Sequence, residues 1–267
     1  MVTFLIPYVQ TPHVQRLWAG VNPVESDKSL RHIAIIMDGN SRWAKKRGMV
    51  HINGHKAGVE RIRDMLTVCR DEGVEALTLF AFSSENWKRP AREVDALMSL
   101  FQTYLSKEAP RLKEEGIRLR IIGGRTRFSQ KVLSAVENAE DLTRAGSTHL
   151  IIAADYGGKW DIANAARAIA AKAVDGKLAI NEITEETLNR ELALADLSPP
   201  DLLIRTGGEC RISNFLLWQT AYAELYFSEK LWPDFTGDDL SAAVVEFHQR
   251  QRRFGLTGDQ ARGVSGA

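Results

Sequence analysis

HIAIIMDGN, residues 32–40, is the stretch that determines the fold class of this 267-residue chain. Its first six residues form a short, nearly continuous apolar run, which stops abruptly at an Asp-Gly-Asn turn signal. Runs without polar alternation are typical of strands that are buried on both faces of a parallel sheet. We therefore predict a buried strand over 32–37, with a polar loop at its carboxyl end.

Similar short apolar runs recur along the chain, and helical patterns separate them. Ile62, Met65, Leu66 and Cys69 are spaced as one face of a helix that is predicted over 54–72. Further helices are predicted near 93–115, 129–144, 159–175 and 237–253, and further strands at 76–82, 119–123, 149–154, 201–205 and 223–227. The alternation predicts a single α/β domain with a mostly parallel central sheet of about six strands flanked by helices.

Composition and charge disfavour several classes of protein. The chain has 35 basic and 34 acidic residues and a net charge of +1, so we expect no nucleic-acid partner. Cys69 and Cys210 have no partner at metal-ligand spacing, which predicts neither a disulfide framework nor a zinc site. The apolar stretch at 1–15 lacks a basic start and is shorter than the ~20 residues that span a bilayer. A cytoplasmic protein that does not cross the membrane is expected.

Four predicted strands are followed by polar loops rich in groups that bind diphosphates and metal ions. Because ligands of open parallel sheets bind beyond the carboxyl ends of the strands, we expect these loops to converge. The loops are DGNSRW (38–43), SSENWKRP (83–90), DYGGKWD (155–161) and RTGGECRISN (205–214). Agreement among four independent loops is a stronger signal than any one of them.

The first and last of these loops are the most informative. Asp38 alone is typical of a turn or a helix cap, but beside Gly39 and Arg42 it is also a candidate ligand of Mg²⁺ or of a metal-bound diphosphate. Arg205 directly follows a buried strand, where an idle charge is costly. With Arg211 across a double glycine, it favours a phosphate cradle.

Other candidates have a structural alternative that the sequence leaves open. Trp87 is either a packed indole or part of a loop that closes over a substrate. His55, at the start of a helix, is more often a structural partner than a catalyst. Glu224 is either a buried partner of an arginine or a second carboxylate beside a metal. The apolar faces of the first two long helices are core by default, or else the walls of a hydrophobic tunnel.

The same loops closely resemble the cis-prenyltransferase family, in particular the bacterial undecaprenyl diphosphate synthases. The resemblance rests on HIAIIMDGNSRWAKKRG (32–48), GHKAG (54–58), LTLFAFSSENWKRPAREV (77–94), DYGGKWDI (155–162) and IRTGGECRISNFLLWQTAYAELYFSEKLWPDF (204–235). It runs from about residue 31 to 255 with the same order and spacing. We therefore expect residues 31–255 to be the catalytic domain, 1–30 an irregular N-terminal extension and 256–267 a flexible tail.

The resemblance implies a magnesium-dependent transferase that condenses isopentenyl diphosphate onto an allylic diphosphate, with farnesyl diphosphate as the expected primer. Undecaprenyl diphosphate, a cell-wall lipid carrier precursor, is the expected product. The resemblance also implies a homodimer, a hydrophobic tunnel between sheet and helices, and transient contact with the inner face of the membrane. A short-chain or irregular-linkage synthase and a non-catalytic subunit of the same fold are the alternatives. A dinucleotide-binding protein is disfavoured, because GGRTRF (123–128) is not a GxGxxG fingerprint.

Residue roles follow from the resemblance position by position. It assigns catalysis to Asp38 and Asn86, and magnesium binding to Asp38 and Glu224. Among the substrate-binding positions, Arg205, Arg211 and Ser213 would hold isopentenyl diphosphate. The remaining implied substrate-binding positions are Gly39, Asn40, Arg42, Trp43, Arg47, His51, His55, Phe82, Ser83, Ser84, Glu85, Trp87 and Arg89.

Three further positions bear on product and assembly. His51 stands where the family usually carries arginine, and Ala81 is small at a position where a bulky residue suggests a short product. The Arg253-Phe254-Gly255 ending is similar to an element that can reach a partner subunit's site.

Overall fold

Six strands alternate with helices in this computed structural model, which describes residues 29–250. The strands are β1 His32–Ile36, β2 Ala76–Ser83, β3 Ile117–Ile122, β4 Thr148–Tyr156, β5 Leu202–Arg205 and β6 Glu224–Phe227. The α-helices are α1 Asn40–Lys46, α2 His51–Asp71, α3 Ala91–Glu114, α4 Gln130–Leu142, α5 Gly158–Val174, α6 Glu185–Glu191 and α7 Gly237–Gln249. All six predicted strands are confirmed, with ends that differ by two residues at most.

The strands form one sheet in the order β3-β4-β2-β1-β5-β6, and every pairing is parallel. The carboxyl ends of the strands therefore lie along one edge. The four strands whose loops carry the predicted chemistry, β4, β2, β1 and β5, are neighbours at the centre of the sheet. This order brings the four loops together, as the sequence predicts.

Both faces of the sheet are covered, which explains why its central strands are apolar throughout. One face packs against α2, α3, α4 and α7, where the buried side chains include Met65, Leu105, Val136 and Leu240. The other face packs against residues that follow α6 and against the segment around Phe215. Each fully buried Leu or Met side chain stabilises the fold by about 1.5–3 kcal/mol.

Two helices and a bulge in β2 were not predicted. α1 begins at Asn40, within the stretch that is predicted to be a loop, and α6 follows a capping box at Thr184. In β2, Phe80 pairs with Ala153 and Phe82 with Ala154, so Ala81 is an extra residue in that strand. The bulge matters because it lies at the carboxyl edge, next to the predicted site.

The predicted chain termini are largely beyond what the structure describes. Leu30, at the end of the predicted extension, is buried in the core. The described residues do not include residues 1–28, the tail 256–267 or the Arg253-Phe254-Gly255 element. The end predicted for the last helix also lies outside them. Among residues 29–250, no helix is both long enough and apolar enough to span a membrane.

Candidate active site

A cavity of about 340 Å³ lies between the sheet and helices α2 and α3. One end is polar and is formed at the carboxyl ends of β1, β2 and β5. The rest is apolar, with Ile62 of α2 and Leu97 and Phe101 of α3 facing strand residues such as Ile152. Nine of the predicted site residues line the cavity, namely Asp38, Asn40, His55, Phe82, Ser83, Asn86, Arg89, Arg205 and Ser213.

The polar end is organised around an ion pair between Asp38 and Arg205. Arg205 Nη2 donates to Asp38 Oδ2 at 2.8 Å, while its Nη1 donates to Ser213 Oγ at 2.6 Å. Burial by itself raises the pKa of the Asp38 carboxyl. The hydrogen bond and charge of Arg205, with the charge of Arg42, outweigh burial and hold that pKa below its usual value. Asp38 is therefore an anion at neutral pH.

Two glycines allow the backbone to approach this ion pair closely. Gly39 has φ of +106°, and a Cβ there would lie 2.8 Å from Leu231 Cδ2. Gly207 has φ of +91°, and a Cβ there would lie 2.7 Å from Arg42 Nη2. L side chains rarely adopt such φ values, so both positions favour glycine, and at Gly39 the backbone of Leu231, 3.0 Å from an added Cβ, leaves little room as well.

Several buried polar atoms at this end have no hydrogen-bond partner within residues 29–250. They are Asn40 Oδ1, His55 Nε2 and Arg205 Nε. Burial, followed by the charge of Arg89, lowers the pKa of His55 to about 4, so the imidazole is neutral at pH 7. Since unpartnered buried polar groups are costly, three of them around one cavity indicate a site made for a polar ligand.

The loop after β2 is a 3₁₀ helix held by its own amide and hydroxyl groups. Ser83 N donates to Asn86 Oδ1 at 3.0 Å, which fixes Asn86 at the cavity wall. Trp87 packs edge-on against Phe82, and its Nε1 donates to Asp155 Oδ1 at 2.9 Å. The structure therefore favours the packed-indole alternative for Trp87, which anchors the loop.

Glu85 and Ser84 belong to the same loop but face the neighbouring one. Asn214 Nδ2 donates to Glu85 Oε1 at 2.8 Å, and Ser84 Oγ donates to Glu85 Oε2 at 3.1 Å. Arg89, at the loop's end, lines the cavity and pairs with Glu93 at 3.0 Å. These contacts join the loops after β2 and β5 into one rim.

Two arginines stand at the outer side of the rim. Arg42 Nη2 lies 3.2 Å from Asp38 Oδ1, so this cation extends the central ion pair toward solvent. Arg211 has a side chain that is 62% exposed and paired with Glu209 at 2.5 Å. It does not line the cavity within the described residues, and a ligand would have to recruit it from that pair.

Ten of the nineteen predicted site residues do not line the cavity, and four of these ten also take no part in the rim contacts described above. Trp43 Nε1 donates to Asp234 at 2.7 Å, and Arg47 pairs with the same carboxylate at 3.2 Å. His51 is the exposed first residue of α2. Glu224 begins β6 and pairs with Leu202, whereas Arg205 lies at the other end of β5.

The position of Glu224 bears directly on its predicted metal role. Arg205 is three steps along the strand from Leu202, a distance of about 10 Å, so Glu224 lies at the amino edge of the sheet. Within one chain it cannot share a metal ion with Asp38. The carboxylate from this segment that reaches the loop after β5 is Glu229, since a Cβ on Gly208 would lie 2.7 Å from its Oε2.

Sequence reasoning missed the residues that hold the rim together. Asp155 is buried with φ of +54° and accepts from both Trp87 Nε1 and the Arg127 guanidinium. Asn214, with φ of +64°, accepts from Lys159 N at 2.9 Å and donates to Glu85. Both lie in loops that the sequence predicts. The signal that could have identified them is the residue type, since Asp and Asn tolerate positive φ better than most residues do.

The residues at the polar end fit a magnesium ion that arrives with a diphosphate. No group of three or more His, Cys, Asp or Glu side chains that could hold a metal exists within residues 29–250. Magnesium is usually held by one or two carboxylates together with substrate phosphates and water, not by an all-protein cage. An ionised, partly exposed Asp38 at the cavity wall meets that requirement.

Comparison with known proteins agrees with this geometry. Residues 36–255 match the family model described as "Putative undecaprenyl diphosphate synthase". The chain is 56% identical over 232 residues to the ditrans,polycis-undecaprenyl-diphosphate synthase ((2E,6E)-farnesyl-diphosphate specific) of Pseudomonas aeruginosa, which covers 86% of this chain and 92% of that protein. It is 53% identical over 229 residues to the Escherichia coli enzyme of the same name, over 85% of this chain and 90% of that protein.

Solved structures extend the similarity to three dimensions. Lavandulyl diphosphate synthase from Lavandula x intermedia, in complex with dimethylallyl diphosphate, has a TM-score of 0.83 and 38% identity, over 86% of this chain and all of that one. A probable undecaprenyl diphosphate synthase from Campylobacter jejuni has a TM-score of 0.72 and 35% identity, over 85% of this chain and 98% of that one. The similarity in sequence and in fold covers 85–86% of this chain, which therefore belongs to the undecaprenyl diphosphate synthase family of cis-prenyltransferases.

Proposed function

We propose that this enzyme extends farnesyl diphosphate with isopentenyl diphosphate, in the presence of Mg²⁺, to undecaprenyl diphosphate. One observation carries the proposal: a single cavity has a cationic, hydrogen-bonding end and an apolar remainder. A molecule with a diphosphate head and a prenyl tail matches both parts. The names of the most similar relatives, which specify farnesyl diphosphate, support the choice of primer.

The unpartnered polar atoms support the placement of the allylic diphosphate. Asn40, His55 and Arg89 line the cavity near the start of α2, with Arg42 at its rim. A neutral His55 would donate from one ring nitrogen to a phosphate oxygen, and the anion would raise the pKa of the imidazole above its present value of about 4. Binding would therefore satisfy groups that the empty cavity leaves unpaired.

The fork of Arg205 supports the placement of isopentenyl diphosphate. This guanidinium is almost fully buried and is aligned by Asp38 and Ser213, so it is pre-organised for phosphate oxygens. Arg211 would join it by leaving Glu209. Two diphosphates would then lie on opposite sides of Asp38, which holds their heads apart while their carbon atoms meet.

The reaction itself is a balanced substitution. Carbon C4 of the isopentenyl double bond forms a bond to C1 of the allylic substrate as the bond from C1 to the diphosphate oxygen breaks. C2 of the isopentenyl unit then loses a proton, which the departing diphosphate would accept, and a C2–C3 double bond forms. Bound magnesium would supply positive charge to the departing diphosphate, and Asp38 is the residue that would hold it. Arg42 and His55 stabilise the same charge, while the apolar walls exclude water from the allylic carbon.

The small residue at the bulge of β2 supports a long product. Ala81 lines the cavity and presents only a methyl group to it. A growing chain can therefore pass between β2 and α3 without meeting a bulky side chain there. This favours a long product over the short-chain alternative.

Assembly as a homodimer is supported by the exposed edge of the sheet. β6 is an edge strand, and Leu225 and Phe227 on it are exposed, as is Tyr222 just before it. Exposed apolar side chains on an edge strand favour pairing with another chain. A metal role for Glu224 would therefore require the site of a partner subunit.

Transient membrane contact is supported by the loop between α1 and α2. Met49 and Val50 are exposed and follow Lys45 and Lys46, so an apolar tip is flanked by cations. Each such cation near an anionic bilayer surface adds about 1 kcal/mol of attraction. We infer a cytoplasmic enzyme that meets the inner face of the membrane when it releases its lipid product.

A single extension assay tests the proposal. Purified protein is incubated with Mg²⁺, labelled isopentenyl diphosphate and, separately, dimethylallyl, geranyl or farnesyl diphosphate, and the products are sized by chromatography. We expect undecaprenyl-length product with farnesyl diphosphate, and none after chelation of Mg²⁺. Asp38→Asn should lower the rate by at least about 10²-fold in protein that remains folded, because the neutral amide is a poor ligand for the magnesium ion that would neutralise the departing diphosphate.

The other outcomes separate the alternatives. Short products would assign the chain to a short-chain synthase, and branched or cyclic linkages to an irregular one. No incorporation from any primer, by protein that is folded and dimeric, would indicate a non-catalytic subunit and contradict the proposal.

A further inference from the structure

The register between β2 and β4 shifts at Asp155, on the carboxyl edge of the sheet. Phe82 of β2 pairs with Ala154 of β4. The next pair joins Ser83 to Tyr156, so Asp155 is an extra residue in β4. Its φ of +54° lies in the left-handed region, which Asp adopts more readily than most residues do. Bulges of this kind are common beside active sites, where they change the direction of a side chain.

This second bulge determines which face of the sheet Asp155 meets. Ala154 packs on the face that α2 and α3 cover, and Ala153 packs on the opposite face. Regular alternation along the strand would return Asp155 to the side of Ala153. Instead, Tyr156 takes that side, and the Asp155 side chain contacts Trp87, which packs against the core on the cavity side. The bulge therefore turns a carboxylate toward the loop that borders the cavity.

The Asp155 carboxylate joins Trp87 to Arg127, which comes from the loop after β3. Its Oδ1 accepts from Trp87 Nε1 at 2.9 Å, and its Oδ2 accepts from Arg127 Nε at 3.2 Å. Arg127 Nη2 also donates to Oδ1, and the guanidinium carbon lies 5.0 Å from the centroid of the Trp87 ring. The Asp155 side chain is only 2% exposed, so these hydrogen bonds are what makes its burial tolerable. The three side chains thus hold the indole in one orientation.

The orientation of Trp87 determines the position of Asn86, the preceding residue of the 3₁₀ helix. Asn86 lines the cavity, and its Oδ1 accepts from Ser83 N at 3.0 Å, so its Nδ2 remains to donate to a substrate. The Trp87 ring also packs edge-on against Phe82, another residue of the cavity wall. Asp155 itself is not part of that wall within residues 29–250. Its influence on a bound substrate therefore passes through Trp87.

We propose that Asp155 is a positioning residue for the condensation: with Arg127 it holds Trp87, and thereby Asn86, in the geometry that the reaction requires. The inference rests on the elongation activity proposed above. A misplacement of about 1 Å in a group that contacts the reacting molecules can cost about 10²-fold in rate. The effect of Asp155 should therefore appear in kcat. Affinity for the two diphosphates depends mainly on the arginines of the polar end, so KM should change little.

Steady-state kinetics on folded protein, with product formation as the readout, test this role. Asp155→Ala should lower kcat by at least about tenfold and change KM for either substrate by less than about threefold. Asp155→Asn keeps an oxygen that accepts from Trp87 Nε1 and should restore kcat to within about threefold of the wild-type value. Asp196→Ala is the matched control. Asp196 accepts from Arg120 Nη1 and Nη2, both at 2.9 Å, and neither residue lines the cavity within residues 29–250, so kcat should not change.

A double-variant cycle tests whether Asp155 acts through Trp87. Trp87→Phe removes the Nε1 donor, keeps an aromatic ring and should also lower kcat. Adding Asp155→Ala to Trp87→Phe should then lower kcat by less than about twofold more. Losses that multiply, or a normal kcat for folded Asp155→Ala, would overturn the role of Asp155, whereas a wild-type enzyme that makes no polyprenyl product contradicts the proposed function instead. If Asp155→Ala does not fold, Arg127→Gln takes its place in the cycle, and the same non-additivity is required.

Discussion

The two ends of the main cavity are built in different ways. At the polar end, Asp38 and Arg205 are held by short, directed hydrogen bonds, and Gly39 and Gly207 have backbone conformations that L side chains rarely adopt. At the apolar end, Leu97, Phe101 and Tyr104 line the wall and would contact a ligand through non-directional packing. Directed contacts are intolerant of change, whereas apolar walls can be repacked. We therefore expect substitutions at the polar end to change rates, and those at the apolar end to change products.

The largest effect is expected at Arg205. Arg205→Lys keeps the positive charge but lacks the planar guanidinium that donates to Asp38 and Ser213 at the same time. The substitution should therefore weaken two charge-assisted hydrogen bonds of about 1.5–3 kcal/mol each. A loss on the order of 10²-fold in kcat/KM for isopentenyl diphosphate should follow. Steady-state kinetics with farnesyl diphosphate held saturating measure it.

The control for Arg205 is an arginine that is exposed and paired on the outside of the fold. Arg190→Lys on α6 removes one guanidinium that is bonded to Glu186 at 3.0 Å and should leave the kinetics unchanged. Equal kinetics for Arg205→Lys and the wild-type enzyme would mean that the polar end tolerates change as readily as the apolar end does.

An intermediate effect is expected at Ala81, on the wall between the two ends. Ala81→Leu places a larger side chain in the cavity opposite α3, so elongation should stop several five-carbon units earlier while the first condensation stays within about tenfold of the wild-type rate. Product sizing together with the rate of the first addition checks both parts. The control is Val174→Leu, since the Val174 side chain is exposed, whereas Ala153 is buried in the core and a leucine there would disturb packing.

A long product from Ala81→Leu at the normal rate would show that the chain takes another route. It would remove Ala81 from the proposed path between β2 and α3, and would weaken the contrast between the two ends.

The smallest effect is expected on stability at acid pH. The comparison is between His32, which is in the core, and His55, which lines the cavity. His32 Nδ1 donates to Ser198 O and its Nε2 accepts from Thr78 Oγ1, both at 2.7 Å, and burial lowers the pKa of His32 to about 4. In the unfolded chain the histidine has a pKa near 6.5 and gains a proton first. As pH falls from 7 to 5, this one group should lower the free energy of unfolding by about 2 kcal/mol.

His32→Gln tests that contribution by denaturant unfolding at the two pH values. The variant should lose less stability between pH 7 and pH 5 than the wild-type protein does, by roughly the same 2 kcal/mol, whatever its stability at pH 7. If the variant and the wild-type protein lost the same stability between pH 7 and pH 5, His32 would have to be protonated in the folded state. His55 should differ from His32, since a bound diphosphate raises the pKa of His55 and substrate should thus reduce the acid sensitivity that His55 contributes.

The sequence predicts the strands and the convergence of the loops because both follow from local pattern. Short apolar runs specify buried strands, and the parallel order then places Asp38, Asn86 and Arg205 at one edge. Trp87 could not be assigned in this way, since its anchor, Asp155, lies 68 positions away along the chain. The resemblance implies a metal role for Glu224, but the sequence does not indicate which end of β6 this residue occupies, and the strand register shows it.

Other differences have equally specific causes. The bulge at Ala81 depends on pairing between β2 and β4, which no local signal encodes. The direction of the Asp155 carboxylate depends on the same pairing and therefore emerges only from the sheet.

The most direct test of the account is a crystal structure with Mg²⁺ and farnesyl thiolodiphosphate, an analogue whose sulfur bridge slows cleavage. We predict a diphosphate within hydrogen-bond distance of Asn40, Arg42 or His55, and a prenyl tail between β2 and α3 that points toward Tyr104. A diphosphate bound away from Asp38, or a tail that leaves the cavity for the surface, would contradict it.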